Sequence, residues 1–564
     1  MTFTRWQSRA AATGSALLLA AAFPPFNWWP LALVALVPLL LAVLSVRRSK
    51  AFQALPSDGG LRPMDSTGSC VVLESGPRGL EGLATVAGEE THRRDACGPV
   101  FWPAFRLGWQ FGFVFFTATL WWIQHVTLPG MLALSAYLAL YPAVAIGMVG
   151  WLRMGRDENR WELLVKLVLA AGIWAGLEWV RSVALSGFPW NSLAVPLFGL
   201  STARTLAAWT GVIGLSGLVC LIPLGIAAIL FRRGRKSGTL LFCGAALGFI
   251  LEPGVRFINS RNPNPGLVFH HAALIQPNLT MEEKMSPDPE VQRQRYFDLV
   301  DQTEQAIRGM DPGALDLVVW PESAVPGYFD GMVEGGAFRD QLELGDFSLV
   351  TGADHEAWGA IYNSVAVMRR TTENRAIHPK VRLVPFGEFI PFRKEVPVFE
   401  KVLGGLIPMD FTPGTNLDPL RVEGQPFSIV PLVCFEDTIG NHARKYIRPE
   451  PQVIVNVTND NWFHQSPATE MHFVNARWRT AELNRTLLRS ANTGVTAIVS
   501  PQGGEQRLPS FHAGRLSSWF HTGDSRLTFY AKHGDLFSKG AGALALSGCG
   551  AVWWKRRNRC RTAA

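Results

Sequence analysis

The sequence predicts two parts in different solvents: a multi-span α-helical membrane domain, and outside the membrane a layered α/β domain. Three observations lead there. Hydrophobic residues make up 48% of the 564, more than a water-soluble chain usually carries, and they concentrate before about residue 255. Lys and Arg cluster at alternate ends of the apolar runs. From 255 to 538, short Val, Ile and Leu runs alternate with Pro, Gly and charged punctuation, as strands and helices in water do.

Crossing a bilayer core takes roughly 20 apolar residues in a helix. The runs that supply them are 11–25, 29–46, 106–123, 131–152, 164–181, 205–231 and 237–253, with a short, Gly-rich eighth at 540–554. Arg5 and Arg9 before the first run give it the look of a secretory leader. No small-residue cleavage site follows, and FPPFNWWPLALV leads directly into the second run, so a retained hairpin is expected. Arg5 and Arg9, RRSK (47–50), RMGRDENR (153–160), FRRGRK (231–236) and KRRNRCR (555–561) all fit one side of the membrane. Eight spans then place both termini in the cytoplasm and 255–538 outside. The net charge of +8 becomes a topology signal, and no nucleic-acid motif accompanies it. The expected domains are 1–254 (helical), 255–538 (catalytic) and 539–564 (a last span and basic tail). Residues 51–100, polar and Gly-rich without a 2.0 or 3.6 period, are expected to be a cytoplasmic insertion.

In the outward part, strands are expected at 272–276, 315–320, 347–352, 364–370, 427–435, 453–458 and 495–500, and helices at 287–307 and 471–485. Near-continuous Val, Ile and Leu imply strands covered on both faces, hence a layered sandwich with its reactive groups at strand ends. Cys434 is the only cysteine of that part. In an oxidising compartment it is either a buried bystander or a thiol kept free for chemistry. Glu322 follows LDLVVW, Lys380 follows His-Pro, and Cys434 ends FSIVPLVC. Together the three residue types make a thiol-acylating set: the carboxylate takes the thiol proton, the sulfur attacks a carbonyl, and the ammonium holds the resulting oxyanion.

WPES (320–323), HPKVRLVPFGEFIP (378–391) and CFED (434–437) resemble the three catalytic motifs of the nitrilase superfamily. With FPPFNWWPLALVALVPLL (23–40), EWVRSVALSGFPWNSLA (178–194), TNDNWF (458–463) and LLRSANTGVTAIVSPQG (487–503), the chain resembles its membrane-bound branch, the apolipoprotein N-acyltransferases. The resemblance implies an αββα, nitrilase-like catalytic domain on the periplasmic side of a bacterial inner membrane. It implies a ping-pong acyl transfer in which Cys434 takes a fatty acyl chain from a phospholipid, typically phosphatidylethanolamine. The chain then passes to the N-terminal amine of a diacylglyceryl-cysteine apolipoprotein. Glu322 is the implied base and acid and Lys380 the oxyanion holder, with Glu388, Phe435 and Glu436 in support and no cofactor. Residues 386–412, rich in large apolar side chains, fit an arm that dips into lipid. Met285 and His464 depart from the family pattern, at positions usually held by tryptophan and glycine. His464, His472, His270 and His271 lack metal-ligand spacing, so no metal is expected. The competing readings are a membrane-tethered amidase, in which water resolves the thioester, and a non-catalytic lipoprotein-binding protein.

Overall fold

Two six-stranded mixed sheets form the second half of the computed structural model, and the strands Leu317–Trp320, Ser428–Val433, Gln452–Thr458 and Leu487–Ala491 are buried throughout. The structure describes residues 3–45, 100–152, 159–231, 238–239, 244, 252, 254 and 268–562, apart from 309, 311–312, 337, 339–344, 370, 394, 396–400, 402–408 and 524. The insertion at 51–99, most of the run expected at 237–253 and the domain boundary against residue 255 lie outside the described residues.

The first sheet is built from β1 (Phe269–Gln276), β2 (Leu317–Trp320), β3 (Ser348–Ala357), β4 (Ala360–Arg369) and β5 (Thr371–Pro379). The second has β6 (Leu420–Arg421), β7 (Ser428–Val433), β8 (Gln452–Thr458), β9 (Leu487–Ala491), β10 (Ala497–Val499) and β11 (Glu505–Arg507); β12 (Gly514–His521) returns to the first. The orders are β12-β1-β2-β3-β4-β5 and β11-β10-β9-β8-β7-β6. β1, β2 and β3 run parallel, as do β7, β8 and β9. Apolar side chains of both sheets meet in one core, Leu274, Val319 and Val350 against Ile429, Val455 and Leu488. The Pro289–Ile307 helix covers the outer face of the first sheet through Leu299 and Ala306. Ala468–Ala476 and Trp478–Leu483 cover the second. These layers are the expected αββα sandwich. The 471–485 helix expected from the sequence is two helices that begin earlier, at Ala468.

Among the described residues, three helices are long and apolar enough to cross a membrane: Leu128–Leu152, Arg160–Ser186 and Ser201–Leu230. Trp29–Ser45 is a shorter apolar helix. The expected first and third spans are helices at Arg5–Ala20 and Phe101–Thr119 that fall outside this set. The first has 16 residues, about 24 Å at 1.5 Å per residue against a core of about 30 Å. The second carries Arg106 and Gln110, and the Gln110 amide donates to Thr13 and to the Arg9 carbonyl of the first. The expected short last span is part of a 27-residue helix, Leu536–Thr562. Its glycine content has a packing reason: a Cβ on Gly176 of the Arg160–Val183 helix would lie 2.8 Å from the Gly542 Cα, so the two backbones approach only because both residues lack one.

The two halves interlock. The Ser201–Leu230 helix breaks at Gly211, whose φ of 69° is left-handed. The Val212 N–H exposed by that break donates to Glu482 Oε1 at 2.7 Å. Asn475 Oδ1 accepts the Asn191 N–H at 2.9 Å, and the Trp478 indole donates to the Val195 carbonyl at 3.0 Å.

Candidate active site

Glu322 lies in the turn after β2, Lys380 directly after β5 and Cys434 directly after β7. β5 is antiparallel to β4 and β4 to β3, so β5 ends on the same edge as β2. The glutamate and lysine therefore come from one sheet and the thiol from the facing one. The turn carrying Glu322 sits directly on β3: a Cβ at Gly352 would lie 2.5 Å from the Glu322 Cα. Cys434 has a φ of 49°, sparsely populated for a residue with a Cβ, and it opens the short 3₁₀ turn Cys434–Thr438.

Lys380, 1% exposed, holds its ammonium 2.8 Å from Glu388 Oε1 and 3.8 Å from Glu322 Oε1. Burial opposes its charge, but Glu388 and Glu322 outweigh burial and raise its pKa, so it is a fixed cation. The Asn363 amide bridges the two carboxylates, donating to Glu322 Oε1 at 2.7 Å and Glu388 Oε1 at 3.0 Å. Glu322 Oε2 accepts the Asn459 N–H at 2.8 Å. Burial, joined by Glu388 and opposed by Lys380, raises the Glu322 pKa. Burial and Glu322 likewise raise the Cys434 thiol, against Lys380. At rest the thiol is thus protonated, within electrostatic reach of Glu322 and Lys380.

Glu436 ties these segments together. Its Oε1 accepts the N–H groups of Val381 and Arg382 at 2.9 and 2.8 Å, its Oε2 that of Val433 at 2.9 Å, and His442 Nε2 stands 3.0 Å away. Burial opposes the charge, yet His442, Lys380 and the backbone donors bring its pKa down to about 2. The residues after Lys380 and before Cys434 are thereby fixed to one carboxylate. The Phe435 ring stacks against Phe188 and Trp190 of the helical half, with centroids 6.4 and 6.5 Å away. Phe386, Phe392 and Met409 of the expected apolar arm are exposed; most of its middle lies outside the described residues.

Two features were missed in the sequence. Lys284 donates to the Glu322 main-chain carbonyl at 2.8 Å, and burial lowers its pKa to about 8 despite Glu322 and Asp354. Its place in QPNLTMEEKM carries no local signal. Behind the thiol, His472 is held between Asp460 Oδ1 at 2.7 Å and Asp437 Oδ1 at 2.9 Å, while Arg489 pairs with the second oxygens of both. Burial and Arg489 oppose protonation of His472, but the two carboxylates prevail and its pKa rises to about 8. Cys434, Asp460 and His472 bring potential ligand atoms within 4.8 Å of one another, but both His472 nitrogens already face carboxylates and Arg489 Nη2 stands 3.0 Å from Nδ1. His464, where glycine is the family pattern, has a φ of 50° and lies against His125 at 5.2 Å between ring centroids.

A carboxylate, an ammonium and a thiol at the ends of strands from facing sheets, in an αββα sandwich, place the soluble half in the carbon-nitrogen hydrolase class. The carbon-nitrogen hydrolase family profile matches residues 272–506. That of the apolipoprotein N-acyltransferase N-terminal domain matches 15–56 and 96–225, leaving most of the insertion unmatched. The apolipoprotein N-acyltransferase of Geobacter metallireducens is 32% identical over 464 residues, 77% of this chain and 84% of that protein. Those of Rhizobium rhizogenes (32% over 433 residues, 71% and 77%) and Methylococcus capsulatus (34% over 378 residues, 65% and 69%) are similar. The chain belongs to the apolipoprotein N-acyltransferase family.

Proposed function

We propose that this protein acylates the N-terminal amine of diacylglyceryl-cysteine apolipoproteins, with a phospholipid as acyl donor and Cys434 as the acyl carrier. The observation that carries the mechanism is the pairing of Lys380 with Glu322 and Glu388, with both Glu322 and Lys380 close enough to act electrostatically on the Cys434 thiol. In the first half-reaction Glu322 takes the Sγ proton as sulfur attacks the donor ester carbonyl, and Lys380 balances the negative oxygen. Collapse expels the lysophospholipid alkoxide, which receives that proton from Glu322, leaving a thioester on Cys434. In the second, the neutral amine of the acceptor attacks the thioester; Glu322 accepts its proton and returns it to the departing sulfur, restoring the thiol and releasing an amide. An amine resolves the thioester where the amidase reading requires water, and the family membership favours the amine.

The donor is proposed to be phosphatidylethanolamine, met at the outer face of a bacterial inner membrane. The proposed organisation is a helical part over 1–254, the catalytic part over 255–538 on the periplasmic side, and a last span with a basic cytoplasmic tail over 539–564. Exposed tryptophans support a membrane placement, as expected at its two interfaces: Trp6, Trp102, Trp161 and Trp553 mark the helix ends nearest the basic clusters, Trp28 and Trp121 the opposite ends. The exposed Phe386, Phe392 and Met409 suit an arm in contact with lipid.

The test is the intact mass of the purified protein after incubation with phosphatidylethanolamine, followed by peptide mapping. An acyl adduct on Cys434 that is discharged by a diacylglyceryl lipopeptide and not by water is expected. Cys434→Ala should form none. Adduct formation by that variant, or discharge by water alone, would refute the mechanism.

A further inference from the structure

A crevice reaching Arg382, two residues after Lys380, separates the turn Thr438–Lys445 from the end of Arg160–Val183, the short Val195–Gly199 turn and the break in Ser201–Leu230. On the helical side its wall is mostly apolar, with Val183 at the end of Arg160–Val183, Pro189, Val195, and Val212 and Ile213 in Ser201–Leu230, interrupted by Ser182 and Ser186. On the catalytic side it carries Arg382 and Lys445, both exposed, with the half-buried Arg444 next to Lys445. Neither Arg382 nor Lys445 has an ion-pair partner among the described residues. The carboxylates at the crevice are engaged elsewhere: Glu482 pairs with Arg479 at 2.6 Å, and Asp535 accepts the Tyr530 hydroxyl at 3.1 Å. Burial, Arg382 and Arg444 all depress the Lys445 pKa, as expected of cations crowded without a counter-ion.

One wall therefore carries cations without an ion-pair partner, and the other is mostly carbon, much of it from two helices long and apolar enough to span a bilayer. A small anion in water has use for the first wall only. A molecule with a phosphate at one end and hydrocarbon beyond it fits both. The location agrees: the crevice meets Arg160–Val183 at the end opposite its basic cluster, where lipid headgroups lie in the proposed orientation, and Ser201–Leu230 at its break. It also adjoins the reacting atoms, since the main-chain N–H of Arg382 binds Glu436, two residues after Lys380.

We infer that this crevice binds the phosphate of the phospholipid donor between Arg382 and Lys445, holding the donor's glycerol against the Val183–Val212 wall while its ester reaches Cys434. The inference rests on the acyl-transfer reading above. It makes the phosphate, whatever alcohol it carries, a recognised part of the donor.

The experiment compares acylation of Cys434 by phosphatidylethanolamine with acylation by the diacylglycerol of the same chains, which lacks the phosphate, in the same detergent micelles. The unsubstituted protein should prefer the phospholipid. Arg382→Gln with Lys445→Gln should shrink that preference about tenfold or more, as expected for charged hydrogen bonds partly screened by solvent, and Lys445→Arg should retain it. An undiminished preference in the double variant, or an equal loss with both donors, would overturn the inference. So would inorganic phosphate inhibiting both donors equally, which would assign the cations to a soluble anion. An unsubstituted protein that acylates Cys434 from neither donor would overturn the acyl-transfer reading and this site with it.

Discussion

Replacing Glu436 by Gln removes one charge and one acceptor while keeping the side-chain shape. With the amide oxygen left toward Val381 and Arg382, the amide nitrogen must face the Val433 N–H, donor against donor. One buried backbone donor without a partner costs about 1–3 kcal/mol, and the remaining bonds lose their charge assistance, roughly a further 1 kcal/mol. The titration gives an independent figure. A glutamate at about 2 when folded and 4.5 when unfolded contributes on the order of 3 kcal/mol at neutral pH. The folded value is depressed, so this contribution is complete above about pH 4.5 and lost as pH falls through about 2. Glu436→Gln should therefore be about 3 kcal/mol less stable at pH 7 by denaturant unfolding in detergent, and the gap should narrow toward pH 2. Because the anchored segments adjoin Lys380 and Cys434, single-turnover acylation should slow by at least about tenfold while the phospholipid KM moves little. Unfolding and acylation that match the unsubstituted protein at pH 7 would refute the tie between these segments.

Glu322→Gln should leave the fold intact and abolish acyl-enzyme formation, because no group remains to take the thiol proton; mass spectrometry after donor incubation checks this. Lys284→Met removes the bond to the Glu322 carbonyl and should lower kcat more than KM, read from lipopeptide acylation. Arg489→Met leaves Asp437 and Asp460 with His472 alone and should cost about 3–5 kcal/mol, read from thermal unfolding. His472 is held at about 8 against 6.5 unfolded, so its contribution of about 2 kcal/mol is complete below pH 6.5 and lost as pH rises through 8. Stability that stays flat between pH 6 and 9 would contradict that pairing.

What could be read in the sequence was local. β7 (SIVPLV) and β8 (QVIVNVT) are mostly apolar because both faces are covered, and that composition is visible in the letters themselves. β5, TTENRAIHP, is a largely exposed edge strand with no apolar pattern; only its pairing with β4 makes it a strand, and that pairing spans a turn the composition does not mark. The three motifs placed Glu322, Lys380 and Cys434 at strand ends, but which sheet each strand joins is a long-range property. His472 read as a structural or solvated histidine. It is structural, and its partners Asp437, Asp460 and Arg489 come from three separate segments whose meeting no spacing announces. The last span read as short because glycines dilute its hydropathy, while the same glycines let it pack closely on Arg160–Val183.

The Val212, Asn191 and Val195 contacts have a consequence for how such chains can be recombined. Glu482, Asn475 and Trp478 complete the backbone of the helical half, at a break in one helix and in the turns before it, and Asn475 and Trp478 also meet the Asn191 and Phe198 side chains there. A chimera with helices from one relative and strands from another joins well only if the donor of the strands brings an acid, an amide and an indole to these three points. Any other graft leaves bare main-chain groups between the halves, however well each half suits its own solvent.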